Sequence, residues 1–172
     1  MPHIHSFAPV SNADARVLIL GSMPGKKSLE QNQYYAHPAN TFWRIMGELV
    51  GAHPNLPYEE RLDALKFSGI ALWDTLASCE RKTSLDSHIR KESANDFALF
   101  FAQHPHITQV FFNGSKAEQC FRRFVQTKQA LPLLEFYRLP STSPAHATMH
   151  YEGKLKYWLE KLLHAGVKLN TC

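Results

Sequence analysis

Val17-Leu18-Ile19-Leu20, running into Gly21-Ser22-Met23-Pro24-Gly25, is the stretch on which the fold turns. Four consecutive apolar residues that stop at a glycine are too few for a helix and read as a buried strand. The same pattern recurs downstream. Ile70-Ala71-Leu72-Trp73 stops at Asp74, Val110-Phe111-Phe112 stops at Asn113-Gly114, and Phe136 to Leu139 stops at Pro140. Between these runs the period lengthens. Phe42, Ile45, Met46 and Leu49 fall at i, i+3, i+4 and i+7, one face of a helix. Phe97, Phe100, Phe101 and His104 form a second stripe, Ala117, Cys120, Phe121 and Phe124 a third, and Leu155, Trp158, Leu159 and Leu162 a last. A weaker helix is expected from Tyr58 to Phe67. Strands alternating with helices predict an α/β fold, a three-layer α/β/α sandwich around a mainly parallel four-stranded sheet. No repeat or linker divides the sequence, so a single domain over residues 1–172 is expected.

Composition narrows the class. The 172 residues are 44% hydrophobic and 20% charged, as in ordinary water-soluble domains. No apolar run approaches the roughly 18 residues of a membrane span. Met1 to Val10 lacks the basic and then apolar pattern of a secretory signal, so a cytoplasmic protein is expected. Cys79, Cys120 and Cys172 are odd in number and far apart, which argues against a disulfide framework and against a four-thiolate iron–sulfur cluster. His146 and His150 sit four apart, yet no second pair lies at a matching interval, so no metal or other cofactor is expected. The net charge of +4 and pI near 9.0 suit a polyanionic partner without requiring one.

Ligands of open parallel sheets bind beyond the carboxyl ends of the strands. The segments that start at Gly21, Asp74, Asn113 and Pro140 should therefore converge on one site. Gly21, Ser22, Met23 and Pro24 form a tight turn whose backbone N–H groups can face a ligand or simply close the strand. Asn40 stands just before a helix, where Asn is a favoured cap, so capping and chemistry are both open to it. Asp74 is either a turn cap or an acceptor at the site, and a protonated carboxyl can also donate. Ser141, Thr142 and Ser143 lie in a Ser/Pro-rich turn.

The turn after the first strand, taken with Tyr35-Ala36-His37-Pro38-Ala39-Asn40-Thr41-Phe42-Trp43, resembles the mismatch-specific enzymes of the uracil-DNA glycosylase superfamily. Their signature is Gly-x-Asn-Pro-Gly followed by aromatic-Ala-His-Pro-x-Asn-x-Phe-Trp. Met23 stands where those enzymes carry the Asn that holds the attacking water. Gly-Ser-Met-Pro-Gly with the later Asn kept resembles the hypoxanthine-DNA glycosylase branch, which implies that Asn40 takes the catalytic task. The resemblance further implies that Tyr35 stacks on a flipped base. It places Asp74 where an Asn usually reads the base edge, with Asn113 nearby. Leu139 replaces the usual His or Asn of the last motif, whose loop enters the minor groove. Ser141, Thr142, Ser143 and His146 are the residues expected on DNA.

The expected activity is monofunctional hydrolysis of deoxyinosine, with uracil as a possible second substrate, in double-stranded DNA carrying a deaminated base. A monomer is expected. One rival is a serine hydrolase using Ser22 or Ser141 with His146 and Asp74, although no Gly-x-Ser-x-Gly elbow is present. Another is a noncatalytic nucleic-acid or nucleotide binder on the same fold. Two substitutions compete as the route to uracil removal, Met23→Asn and Asp74→Asn.

Overall fold

The computed structural model describes residues 3–82, 88–145 and 148–170. Its centre is a four-stranded parallel sheet built from β2 (Val17–Gly21), β3 (Ile70–Asp74), β6 (Gln109–Asn113) and β7 (Glu135–Leu139), in the order β3-β2-β6-β7. Val17 pairs with Ile70 and with Gln109, and Gly21 pairs with Asp74, so the carboxyl ends of neighbouring strands lie level. Asn113 pairs with Leu139 at the same end.

Side chains alternate across the sheet with period 2. Val17, Ile19, Ile70, Leu72 and Phe111 face one way, onto α2 (Phe42–Val50), α3 (Tyr58–Phe67) and α6 (Tyr151–His164). Phe42, Ile45, Met46, Leu49, Leu65, Trp158 and Leu162 fill that layer. Leu18, Leu20, Ala71, Trp73, Val110 and Phe112 face the other way, onto α4 (Phe97–Gln103) and α5 (Ser115–Phe121). The expected three-layer sandwich and its four parallel strands are what the chain forms. Among the described residues no helix is long and apolar enough to cross a membrane.

Four elements went unseen in the sequence. A short helix, α1 (Lys26–Gln31), follows the first loop, and β1 (His3–His5), β4 (Leu76–Glu80) and β5 (Arg90–Ala94) form a small antiparallel sheet ordered β1-β4-β5. The strand-to-helix alternation therefore breaks after β3, where the chain makes a hairpin first. A third apolar cluster of Met23, Leu76, Cys79, Ile89 and Cys120 seats this sheet against the loop after β2 and against α5.

Candidate functional site

A cavity of about 170 Å³ opens at the carboxyl ends of the parallel strands. It is smaller than the roughly 300–1,000 Å³ of clefts for drug-sized ligands and suits one compact, base-sized ring system. Gly21, Ser22, Met23, Pro24, Tyr35, Asn40, Asp74, Asn113, Ser141, Thr142 and Ser143 all line it. Sequence positions more than a hundred residues apart thus meet in one place, as the strand-end argument requires. His146 lies outside the described residues.

Register explains the closest contacts. Gly21 and Asp74 are paired on adjacent strands, and Asp74 is only 3% exposed. A methyl group on Gly21 would lie 2.5 Å from Asp74 Oδ1 and 3.0 Å from the Tyr35 hydroxyl. The bare Cα of Gly21 is what lets a carboxyl and a phenol converge there. The two loops then run on together, since Thr75 N–H donates to Gly21 O at 2.8 Å and Leu76 N–H donates to Ser22 O at 3.1 Å. Beneath them the buried Arg81 guanidinium donates to the Pro24 carbonyl.

Tyr34 and Tyr35 divide their tasks. Tyr34 is buried, its hydroxyl donates to Ala8 O at 2.8 Å, its N–H donates to the Tyr58 hydroxyl, and its carbonyl accepts from Trp43 Nε1. Burial, with the charge of Asp74 adding, pushes the Tyr34 hydroxyl far above the usual tyrosine range, so it stays protonated. Tyr35 is half-buried and left-handed at φ 54°, a conformation uncommon for an aromatic residue and often tied to function. Its ring stacks on Phe42 with centroids 4.2 Å apart. Next to it, Ala36 N–H donates to the Ser28 hydroxyl, which fixes the turn.

Thr41, not Asn40, is the N-cap of α2, because Asn40 stands one residue earlier. The Asn40 amide holds the turn into the helix and still keeps a functional group. Its Oδ1 accepts the Phe42 N–H at 2.9 Å at the start of α2, and its own N–H donates to His37 O at 2.9 Å. The oxygen is thereby assigned, and among the described residues no acceptor engages Nδ2. A carboxamide held by its oxygen presents its two N–H donors to whatever occupies the cavity.

His37 also lines the cavity, although only its place in the Ala-His-Pro run hinted at it. Ala39 N–H donates to His37 Nδ1 at 3.0 Å, which leaves Nε2 as the donor of the neutral ring. Lys26 and Lys27 stand at the same cavity, cations that composition counts but cannot place. Ser141 and Ser143 line it as well. Their hydroxyl oxygens accept from Ser143 N–H and Ala145 N–H, leaving the hydroxyl protons to donate.

Three of the cavity-lining residues also make inward contacts. Thr142, expected on DNA, is 1% exposed and bonds inward to Asn113. Asn113, expected on the base, gives both ends of its amide to Thr142. Met23, expected in the base pocket, lines the cavity, is 7% exposed and also packs in the apolar cluster with Leu76, Cys79, Ile89 and Cys120. Met23→Asn is therefore expected to lose about 2–4 kcal/mol of stability by burying an amide among apolar groups, without opening the site to uracil. Thermal melts and uracil release from a U·G duplex check both halves.

The sequence profile of the Uracil DNA glycosylase superfamily matches residues 8–165. The chain is 39% identical over 112 residues to a hypoxanthine DNA glycosylase of Methanosarcina barkeri, covering 64% of this chain and 71% of that protein. It is 38% identical over the same length, with the same coverage, to a hypoxanthine DNA glycosylase of Methanosarcina acetivorans. Among solved structures, the NMR structure of a candidate uracil DNA glycosylase from Methanosarcina acetivorans superposes with a TM-score of 0.77 at 31% identity. That match covers 95% of this chain and 99% of the other. With the family profile running through every strand of the parallel sheet and every loop of the cavity, this chain belongs to the uracil DNA glycosylase superfamily and is one of its DNA glycosylases.

Proposed function

We propose that the chain hydrolyses the N-glycosidic bond of deoxyinosine in double-stranded DNA, acting as a one-domain monomer on a nucleotide flipped into the cavity. The observation that carries this reading is the nearly buried Asp74 carboxyl beside Gly21 and the Tyr35 hydroxyl. A carboxylate offers acceptors only. Hypoxanthine presents N1–H between one carbonyl and a C–H, so a carboxylate meets a donor with one carbonyl beside it. Uracil, thymine and xanthine present the corresponding N–H between two carbonyls, and the second one faces the carboxylate unfavourably. Guanine adds a second donor, but in its normal pair it resists extraction, whereas a mismatched base flips at lower cost.

Within the cavity Tyr35 stacks on the base, a contact any π-face accepts. Asn40 Nδ2 holds the attacking water near the sugar C1′, and positioning of this kind supplies much of a rate enhancement. Ser141 and Ser143 donate to phosphates, with Lys26 and Lys27 adding positive charge at the mouth. The names of the two Methanosarcina relatives support the choice of base.

Single-turnover base release from duplexes carrying hypoxanthine, uracil, xanthine or mismatched thymine tests the reading. Hypoxanthine is expected to leave fastest, by about tenfold or more over each of the others. Fastest release of uracil opposite guanine would sink the assignment to Asp74.

A further inference from the structure

The loop after β7 has an outer side and an inner side. Ser141, Thr142 and Ser143 all line the cavity, but Thr142 is 1% exposed and is tied inward through its N–H, its hydroxyl and its carbonyl. Its N–H donates to Asn113 Oδ1 at 2.9 Å, and its hydroxyl accepts from Asn113 Nδ2 at 2.9 Å. Its carbonyl accepts the Thr41 N–H at 3.0 Å, with the Thr41 hydroxyl donating to it at 3.4 Å. One residue thus joins the end of β6, the loop after β7 and the start of α2. Gly114, at φ +94°, brings the β6 turn against Ser141, where an added Cβ would sit 3.0 Å from the serine Cβ.

Thr41 directly follows Asn40. The hydrogen bonds of Asn40 itself are local, to His37 and Phe42. Among the hydrogen bonds that Asn40 and Thr41 make to described residues, those to Thr142 span the greatest stretch of chain, 101 residues. Thr142 is therefore the tie that sets where the Asn40 turn sits relative to the strand ends bearing Gly21 and Asp74. Asn113 holds Thr142 through a two-point amide contact, which restrains both position and tilt.

We propose that Thr142 and Asn113 are positioning residues that act through Thr41 on Asn40, and that they link its placement to the loop whose serines meet DNA. The proposal rests on the reading of Asn40 as the group that holds the attacking water. Asn113, which lines the cavity, then also serves the reaction through its two-point amide contact with Thr142.

The test combines four variants with single-turnover release of hypoxanthine and with affinity for a duplex carrying hydrolysis-resistant 2′-fluoro deoxyinosine. Thr142→Val removes the hydroxyl at nearly constant volume and is expected to slow release about tenfold or more, with affinity changed less than about threefold. Thr142→Ser keeps the hydroxyl and is expected to recover most of the rate. Asn113→Ala removes the same bond from the β6 side and is expected to repeat the Thr142→Val pattern, so the test stands if one of the two fails to fold. In an Asn40→Ala background, Thr142→Val is expected to slow release no further, because its effect passes through Asn40. Unchanged release in Thr142→Val or Asn113→Ala, or equal slowing with and without Asn40, overturns the proposal and leaves the role of Asn40 standing. Unchanged release in Asn40→Ala alone overturns the reading of Asn40, and the proposal with it.

Discussion

Asn40→Ala is expected to slow single-turnover release of hypoxanthine by about 10²-fold or more, with duplex affinity changed only a few-fold. The same change removes the acceptor for the Phe42 N–H and should cost about 1 kcal/mol of stability. The two effects separate cleanly in Asn40→Asp. A carboxylate keeps an oxygen for the Phe42 N–H but has no N–H to donate. Asn40→Asp should therefore melt close to the parent temperature while losing as much rate as Asn40→Ala. If both variants keep the parental rate in the folded fraction, Asn40 holds the turn before α2 and nothing more.

Asp74→Asn carries the second large effect. An amide can turn its oxygen to the base N–H and its N–H group to a neighbouring carbonyl, so a base with two flanking carbonyls is no longer opposed. The ratio of uracil to hypoxanthine release is expected to rise about tenfold or more, equivalent to about 1.4 kcal/mol of relative transition-state energy. Measuring the two rates on U·G and hypoxanthine duplexes under single-turnover conditions gives the ratio directly. Both residues through which the sequence offers a route to uracil line the cavity. Met23 packs among Leu76, Cys79, Ile89 and Cys120, whereas Asp74 lies at the strand end beside Gly21. An unchanged ratio in Asp74→Asn would mean that the base edge is read by another group.

The parallel sheet was legible because its strands are buried on both faces. Val17 to Leu20 and Ile70 to Trp73 have no exposed residue, so they appear in the sequence as unbroken apolar runs. The antiparallel sheet was not legible for the opposite reason. β5 is Arg-Lys-Glu-Ser-Ala with mostly exposed side chains, and β1 has three residues, so neither leaves a hydrophobic trace. Leu76 and Cys79 of β4, with Ile89 just before β5, supply the apolar cluster against which Met23 packs while it lines the cavity, and no periodicity in the sequence marks that contact. Convergence of the strand ends could be argued from topology, but the direction of each side chain could not. Asn113 and Thr142 are a polar pair 29 residues apart, and nothing in their spacing reveals the two hydrogen bonds that join them.

The central claim is that the cavity between Gly21, Tyr35, Asn40 and Asp74 receives hypoxanthine flipped from DNA. A crystal structure of the Asn40→Ala protein bound to a duplex with one deoxyinosine tests it most directly. The expected result is the base inside the cavity, its face on the Tyr35 ring and its N1–H within hydrogen-bond reach of an Asp74 carboxyl oxygen. A complex in which the hypoxanthine stays stacked in the helix, or lies in the cavity with that edge turned away from Asp74, would contradict the account.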